Sequence, residues 1–292
     1  MRQRAYGYAA VTMFCLGIAP VAQAELKPIS EETMGEVTGQ AFMQIENIDG
    51  GVDGHQFTRM TVGMDVETRV NIDDATAGEI DGGMDFAAQH LALGHIARDD
   101  GDQFNGRTYS AGDTVHFEAA KPYIELANDS AGELAGFRLG FGQARGSVSS
   151  ITSSFSGDIG LKLVDGSGQE FDATLFDGNT QATQYRASHI GIDDGTADCA
   201  SGTNCAPLTH LQSLYVGEEG VDGVTDFTSD FFIGFQREGV DWQSPDGATV
   251  INAGKGVFIN LPTSMKVDMS QLITQGVDRL QTHRDDMGTR LF

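Results

Sequence analysis

The sequence has few basic residues for its length. Its 292 residues include 18 Lys and Arg against 42 Asp and Glu, which gives a formal net charge of −24. A field of this sign disfavours nucleic acids and anionic lipid headgroups as partners. It suits a soluble extracytoplasmic protein, a cation-binding protein, or both.

The sequence also lacks long apolar runs and the common catalytic motifs. Beyond the N-terminal region no segment reaches the roughly 18 consecutive apolar residues of a transmembrane helix, so none is predicted in the mature chain. There is no Gly-x-Ser-x-Gly elbow, no phosphate loop ending in Gly-Lys-Ser/Thr and no His-Glu-x-x-His. The seven histidines are scattered. We therefore expect a non-enzymatic protein and assign no catalytic residue.

The N-terminal region is typical of a secretory signal peptide. Arg2 and Arg4 precede an apolar stretch at 9–18, and Ala22 and Ala24 form an Ala-x-Ala cleavage site. The apolar stretch is about half of the roughly 20 residues that a membrane span requires. The sequence predicts an exported protein of the periplasm, the outer surface or the extracellular medium.

Cleavage is expected directly before Glu25. It would remove two arginines and no acidic residue, so the net charge would fall from −24 to −26. Cys15 would leave with the signal peptide, so the mature chain would retain Cys199 and Cys205. An even pair in an oxidising compartment predicts a disulfide. The alternative is a metal site, which two thiols with no nearby Cys or His partner favour less.

Alternating hydrophobicity predicts an all-β fold. Between residues 60 and 72 the apolar residues fall on even positions, as expected for a long half-buried strand. The same alternation occurs on odd positions at Phe137, Leu139 and Phe141, at Phe231, Ile233 and Phe235, and at Val257, Ile259 and Leu261. With 38 glycines and frequent turn signals, the chain is expected to form an antiparallel sandwich or a rolled sheet with long strands.

The clearest hairpin signal lies on either side of the turn Asp165-Gly-Ser-Gly168. It predicts an antiparallel pairing of Ile159, Leu161 and Leu163 with Phe171, Ala173 and Leu175.

Two short helices and four segments complete the predicted organisation. Ser30 can cap a helix that Gly39 ends, and Ser270 can cap a second helix that carries Leu272, Val277 and Leu280. The expected segments are a signal peptide at 1–24, a helical segment at 25–40, a β domain at 41–269 and a C-terminal helix and tail at 270–292.

One acidic loop has the composition of a calcium site. Asp99, Asp100, Asp102 and Asn105 bring hard oxygen donors together around glycines. The spacing departs from that of an EF-hand, because Phe104 occupies the place of the third oxygen ligand. Asp-Gly pairs are also ordinary turn residues. A bound Ca²⁺ and a plain turn both remain open at this point.

Three stretches resemble a known group of proteins. Residues 29–41 (ISEETMGEVTGQA), 136–146 (GFRLGFGQARG) and 156–159 (SGDI) are similar to uncharacterised exported proteins of gammaproteobacteria. Some of these are labelled as pilus-system (Fil-type) or domain-of-unknown-function proteins. The resemblance implies a surface or pilus-associated role, and it assigns no catalytic residue.

Two functional classes follow from these observations. The first is an exported cell-envelope or surface protein that acts in adhesion or associates with pili or filaments, with surface proteins or further copies of itself as partners. The alternative is an extracytoplasmic binding module for a lipid or another apolar ligand. Its expected inner face is Phe137, Leu139, Phe141, Phe231 and Phe235. A sealed core would favour the first class and an open apolar groove the second.

Overall fold

The computed structural model describes residues 42–50, 54–80, 82–221 and 224–283. The predicted signal peptide, its cleavage site at Ala22, Ala24 and Glu25, and the predicted helix at 25–40 lie outside these residues. The described residues are predominantly β-strand, so the all-β class is confirmed. Within the same ranges, no helix has both the length and the apolar character needed to cross a membrane.

The strands run from residue 43 to residue 268. The first twelve are β1 (Met43–Gly50), β2 (His55–Val62), β3 (Asp65–Thr68), β4 (Val70–Ile80), β5 (Gly83–Leu93), β6 (His95–Ile96), β7 (Asp102–Phe104), β8 (Arg107–Tyr109), β9 (Thr114–Val115), β10 (Phe117–Asn128), β11 (Leu134–Ser154) and β12 (Gly157–Ile159). The others are β13 (Lys162–Val164), β14 (Glu170–Asp172), β15 (Thr174–Phe176), β16 (His189–Gly191), β17 (Cys205–Pro207), β18 (Ser213–Val216), β19 (Glu218–Glu219), β20 (Thr225–Asp226), β21 (Phe232–Gln236), β22 (Val240–Gln243), β23 (Val250–Ala253), β24 (Gly256–Leu261) and β25 (Lys266–Asp268). A 3₁₀ turn spans Leu208–His210, and helix α1 spans Met269–Thr274.

The main sheet has 11 strands, and the long strand β11 belongs to both of its parts. One part has the order β1-β2-β10-β11-β21-β24-β12. The second half of β11 pairs instead with β5 and β18, and β4 extends that part beyond β5. The change of partner occurs at Gly146, whose φ of +140° and close contact with Phe117 leave no room for a Cβ. The two parts face each other across an apolar space.

The long strand predicted at residues 60–72 is divided into β2, β3 and β4. Its alternation is present, and in β3 and at the start of β4 the predicted face is the more buried one, since Val66 and Val70 are less exposed than Glu67 and Arg69. In β2 the faces are reversed: Phe57 and Arg59 are buried, whereas Met60 is exposed over about two-fifths of its surface. Phe57 is buried through a long-range contact: the hairpin of β22 and β23 packs its Trp242 ring against the Phe57 ring.

The predicted hairpin is confirmed at its centre. Leu163 lies opposite Phe171, and the Ala173 backbone N–H donates to the Leu161 carbonyl. Its turn contains Gly168 at a φ of +85°. The outer pair is wrong: Ile159 pairs with Leu261 in parallel β24, and Leu175 pairs with Ile190 in β16.

Helix α1 is shorter than the sequence predicted and begins two residues earlier. Its N-cap is Asp268 instead of Ser270, because the Asp268 carboxylate accepts the Gln271 backbone N–H at 3.0 Å. The helix ends at Thr274, and Gly276 follows with a φ of +77°. Beyond it, Val277 bridges to Leu211 in extended conformation, so residues 275–283 are not helical.

Candidate functional site: an apolar trough

An apolar cavity of about 550 Å³ lies between the two parts of the main sheet. We call it the trough, and we call the sheet face that lines it the inner face. Its lining includes Met60, Val62, Val70, Ile72, Phe86, Leu91, Leu93, Ile124, Leu139, Phe141, Val148, Ser150, Thr152, Phe155, Ile159, Leu208, Leu211, Leu214, Phe231, Ile233, Ile259 and Leu261.

A continuous row of aliphatic side chains crosses six strands on the inner face. Direct cross-strand pairing sets the order Ile45, Met60, Ile124, Leu139, Ile233, Ile259. Exposure is highest at one end of this row, 63% at Ile45, intermediate at Met60, Ile124 and Leu139, and lowest at the other end, 8% at Ile259. Directly opposed apolar residues stabilise a sheet, but contiguous exposed ones typically mark a binding surface.

The floor of the trough is formed by side chains that are almost fully buried. Phe155 and Ile159 follow β11, and Leu208, Leu211 and Leu214 come from the 3₁₀ turn and the start of β18. The rim is formed by Met60, Ile72, Ile124 and Leu139, which remain half-exposed. The trough is therefore open to solvent at its rim and closed at its floor.

No Asp, Glu, Lys, Arg or His lines the trough in the part of the chain that the structure describes. Ser150 and Thr152 are next to each other on one face of β11, and their hydroxyl oxygens lie 2.8 Å apart. Tyr123 borders the trough, but it alternates with Ile124 and its ring packs on Arg59 and Arg138 on the reverse face. Burial there raises the pKa of the Tyr123 hydroxyl to about 12.

The reverse face of the sheet carries a buried charge network. The Glu125 carboxylate lies between Arg59 and Arg138 and forms an ion pair with each. The distance from Arg138 Nη2 to Glu125 Oε1 is 3.1 Å. Arg138 also donates to the Gln243 carbonyl at the end of β22, and its guanidinium lies 4.9 Å from the Trp242 ring. These contacts fix β2, β10 and β11 under the β22–β23 hairpin. On the inner face of the same three strands, Met60, Ile124 and Leu139 stay about two-fifths exposed or more.

The sequence analysis identified part of this site. Leu139, Phe141 and Phe231 line the trough as expected. Phe137 and Phe235 do not; their rings stack 5.0 Å apart and border a separate, shallower pocket.

The opposite wall was missed. It comes from β4, β5 and the segment around Leu208. Leu91 and Leu93 do alternate with polar or small residues, so a weak strand signal was present. Nothing in it specified which strand they face.

The predicted disulfide is present. Cys199 and Cys205 are bonded, with their Cα atoms 4.9 Å apart. Cys205 begins β17 and is buried, so the bridge joins a surface loop to the three-stranded sheet of β15, β16 and β17.

The acidic loop has the geometry of turns, and the structure does not support a calcium site there. The Asp102 carboxylate accepts the backbone N–H groups of Arg98 and Asp99, and the Asp100 carboxylate accepts that of Ala111. Asn105 adopts a φ of +49° in the two-residue turn between β7 and β8. Across the described ranges, no group of three or more His, Cys, Asp or Glu is placed to hold a metal ion. The Asp100 and Asp102 carboxylates are thus used in separate turns.

One buried hydroxyl–imidazole pair was not foreseen. His95 Nδ1 and Ser147 Oγ lie 2.8 Å apart, and the His95 ring packs against Phe104. Burial lowers the pKa of His95 to about 4, although the negative charge of Asp102 acts in the opposite direction and raises it. Both side chains are buried, and neither lines the trough. The pair joins β6 to β11 and has no access for a substrate from that cavity.

Comparisons with models of protein families, with curated proteins and with solved structures give no match to this chain. The trough must therefore be interpreted from its own shape and chemistry.

Proposed function

We propose that this protein is an exported, non-enzymatic binding protein that holds an apolar ligand, such as the chain of a lipid, in the trough. The observation that carries the proposal is an open cavity of about 550 Å³ with an uncharged, largely aliphatic lining. Small-molecule sites typically enclose about 300–1,000 Å³ and have mainly apolar walls. The proposal also takes the fold to be a rolled sheet, whose two parts form the walls of the trough.

Energetics favour a chain-like ligand. Burial of one methylene group stabilises by about 0.8 kcal/mol. A chain that buries about ten methylenes would gain about 8 kcal/mol before the loss of translational and rotational freedom is subtracted. A flexible chain can also follow the row of aliphatic side chains from the rim to the floor.

Export is part of the same proposal. The Ala-x-Ala motif supports it, and so does the Cys199–Cys205 disulfide, since such bonds persist in oxidising compartments. Intact mass of the protein recovered outside the cytoplasm should correspond to a chain that starts at Glu25 with two hydrogens fewer. A cytoplasmic protein with free thiols would contradict it.

Substitution of Ile124 tests the binding site. Ile124 is at the centre of the aliphatic row and nearly half-exposed, so Ile124→Glu should preserve the fold while placing an unpaired charge in the trough. We expect binding of an environment-sensitive apolar dye to weaken by about tenfold or more, measured by fluorescence titration. Val250→Glu is the matched control, because Val250, on β23, is 57% exposed against 47% for Ile124 and does not line the trough. Equal binding by both variants would refute the trough as the site.

A second candidate is a surface or filament-associated role through strand β1. This strand is at the edge of the main sheet, and Met43 and Ile45 expose much of their apolar surface. Edges of this kind can pair with another chain. Size-exclusion chromatography of the parent and of Ile45→Lys tests this role. We expect the parent to be an oligomer and the variant to be a monomer. A parent that is monomeric at all concentrations would exclude self-association through this edge.

A further inference from the structure

Two hydroxyl groups interrupt the otherwise apolar inner face of β11. Ser150 and Thr152 share one hydrogen bond of 2.8 Å. Each hydroxyl has one hydrogen to donate and two lone pairs to accept with. The pair therefore keeps one O–H hydrogen and several lone pairs for a ligand.

This pair is deep in the trough. Thr152 is only 8% exposed and Ser150 is half-buried, whereas the rim residues Met60, Ile124 and Leu139 are about two-fifths exposed or more. A polar group that reaches the hydroxyls must leave water, and the chain attached to it would then extend along the row of aliphatic side chains towards the rim.

Among the residues that the structure describes, no charged side chain lines the trough. The two arginines of β11, Arg138 and Arg145, are paired with Glu125 and Glu118 outside it. A buried carboxylate without a partner is costly, whereas a hydroxyl or carbonyl group needs only the hydrogen bonds that Ser150 and Thr152 offer. The net charge of −24 further opposes an anion.

We propose that the trough selects a neutral lipid, with a hydroxyl or ester as its polar group, and binds that group through Ser150 and Thr152. The inference rests on the proposed function and adds the ligand class, the orientation of the ligand and the residues that determine specificity. It excludes ionised fatty acids as preferred ligands.

The test compares two ligands with the same chain, dodecan-1-ol and dodecanoate, as competitors of a bound apolar dye. At about pH 8 the acid is ionised, because carboxyl groups have pKa values near 4. We expect the alcohol to bind the parent protein about tenfold or more tightly than the acid. Ser150→Ala combined with Thr152→Val should remove most of this preference by weakening alcohol binding relative to acid binding, with each affinity corrected for the variant's own affinity for the dye.

Ser153→Ala is the matched control, because Ser153 is exposed on the same strand and does not line the trough. It should bind both ligands as the parent does. Circular dichroism and thermal unfolding report whether the double variant is folded, independently of any ligand. Equal binding of alcohol and acid, or a double variant that still prefers the alcohol, would overturn the selectivity and leave the trough as a general apolar site. Failure of the dye and both ligands to bind the parent would overturn the proposed function itself.

Discussion

At the scale of single residues, one carboxylate, that of Glu125, is buried between two arginines. Glu125 is 1% exposed, and the neighbouring Arg59 and Arg138 are almost equally buried. The arginines also donate to carbonyl groups of Gln243 and Pro245, so the network joins β2, β10 and β11 to the β22–β23 hairpin. Removing one partner of such a group leaves uncompensated charge in a low-dielectric environment.

Glu125→Gln should therefore be strongly destabilising although the side chain keeps its shape. We expect a loss of about 3–5 kcal/mol in the free energy of unfolding, because two buried arginines lose their counter-ion. Urea unfolding measures it. Glu67→Gln is the control, since its ion pair with Arg107 is half-exposed and should contribute less than about 1 kcal/mol. Similar losses for the two variants would show that burial does not control the strength of the Glu125 network.

At the scale of elements, the β13–β14 hairpin offers a test of side-chain alternation. Leu161 is completely buried beside this hairpin, and the next residue, Lys162, faces solvent and pairs with the exposed Asp172. Leu161→Ala should cost about 2–5 kcal/mol in unfolding free energy, because it leaves a cavity in the core. Lys162→Ala should change stability by less than about 1 kcal/mol. If thermal or urea unfolding showed equal effects at the two positions, the register would be incorrect.

The same elements show what the sequence can predict. Local alternation located part of the strands, among them β21 and β24, and the turn at Asp165, because both depend on neighbouring residues. It did not show which face of β2 would be buried. That depends on a hairpin far along the chain, in which Trp242 packs on Phe57 and the Gln243 carbonyl accepts a hydrogen bond from Arg59. The pairing of Ile159 with Leu261 is equally non-local, so the outer part of the hairpin was wrong.

At the scale of the whole molecule, the trough results from two walls that are distant in sequence. Leu139, Phe141 and Phe231 could be predicted, because their alternation is strong and they share one face. The wall that contains Leu91 and Leu93 could not, because β11 brings it into place by changing partners at Gly146. An apolar strand pattern is the same for a sealed core and for a binding site. The difference depends on what covers the inner face.

The overall charge gives the last prediction. With 42 acidic against 18 basic residues, the folded protein repels itself, so added salt should stabilise it by screening. A calcium site that is filled only in the folded state would add about 2.7 kcal/mol at a hundredfold excess over its dissociation constant. Because Asp100 and Asp102 bond to backbone N–H groups in separate turns, we expect no such addition.

Thermal unfolding in millimolar calcium chloride and in sodium chloride of matched ionic strength separates the two effects. The Tm of the parent should rise equally in both salts, since screening depends on ionic strength. Asp100→Asn combined with Asp102→Asn should lower Tm by weakening the turns, and its response to the two salts should parallel that of the parent. A rise specific to calcium that the double substitution removes would restore the calcium site. It would also show that the loop rearranges when the ion binds, because the Asp100 and Asp102 carboxylates otherwise accept backbone N–H groups.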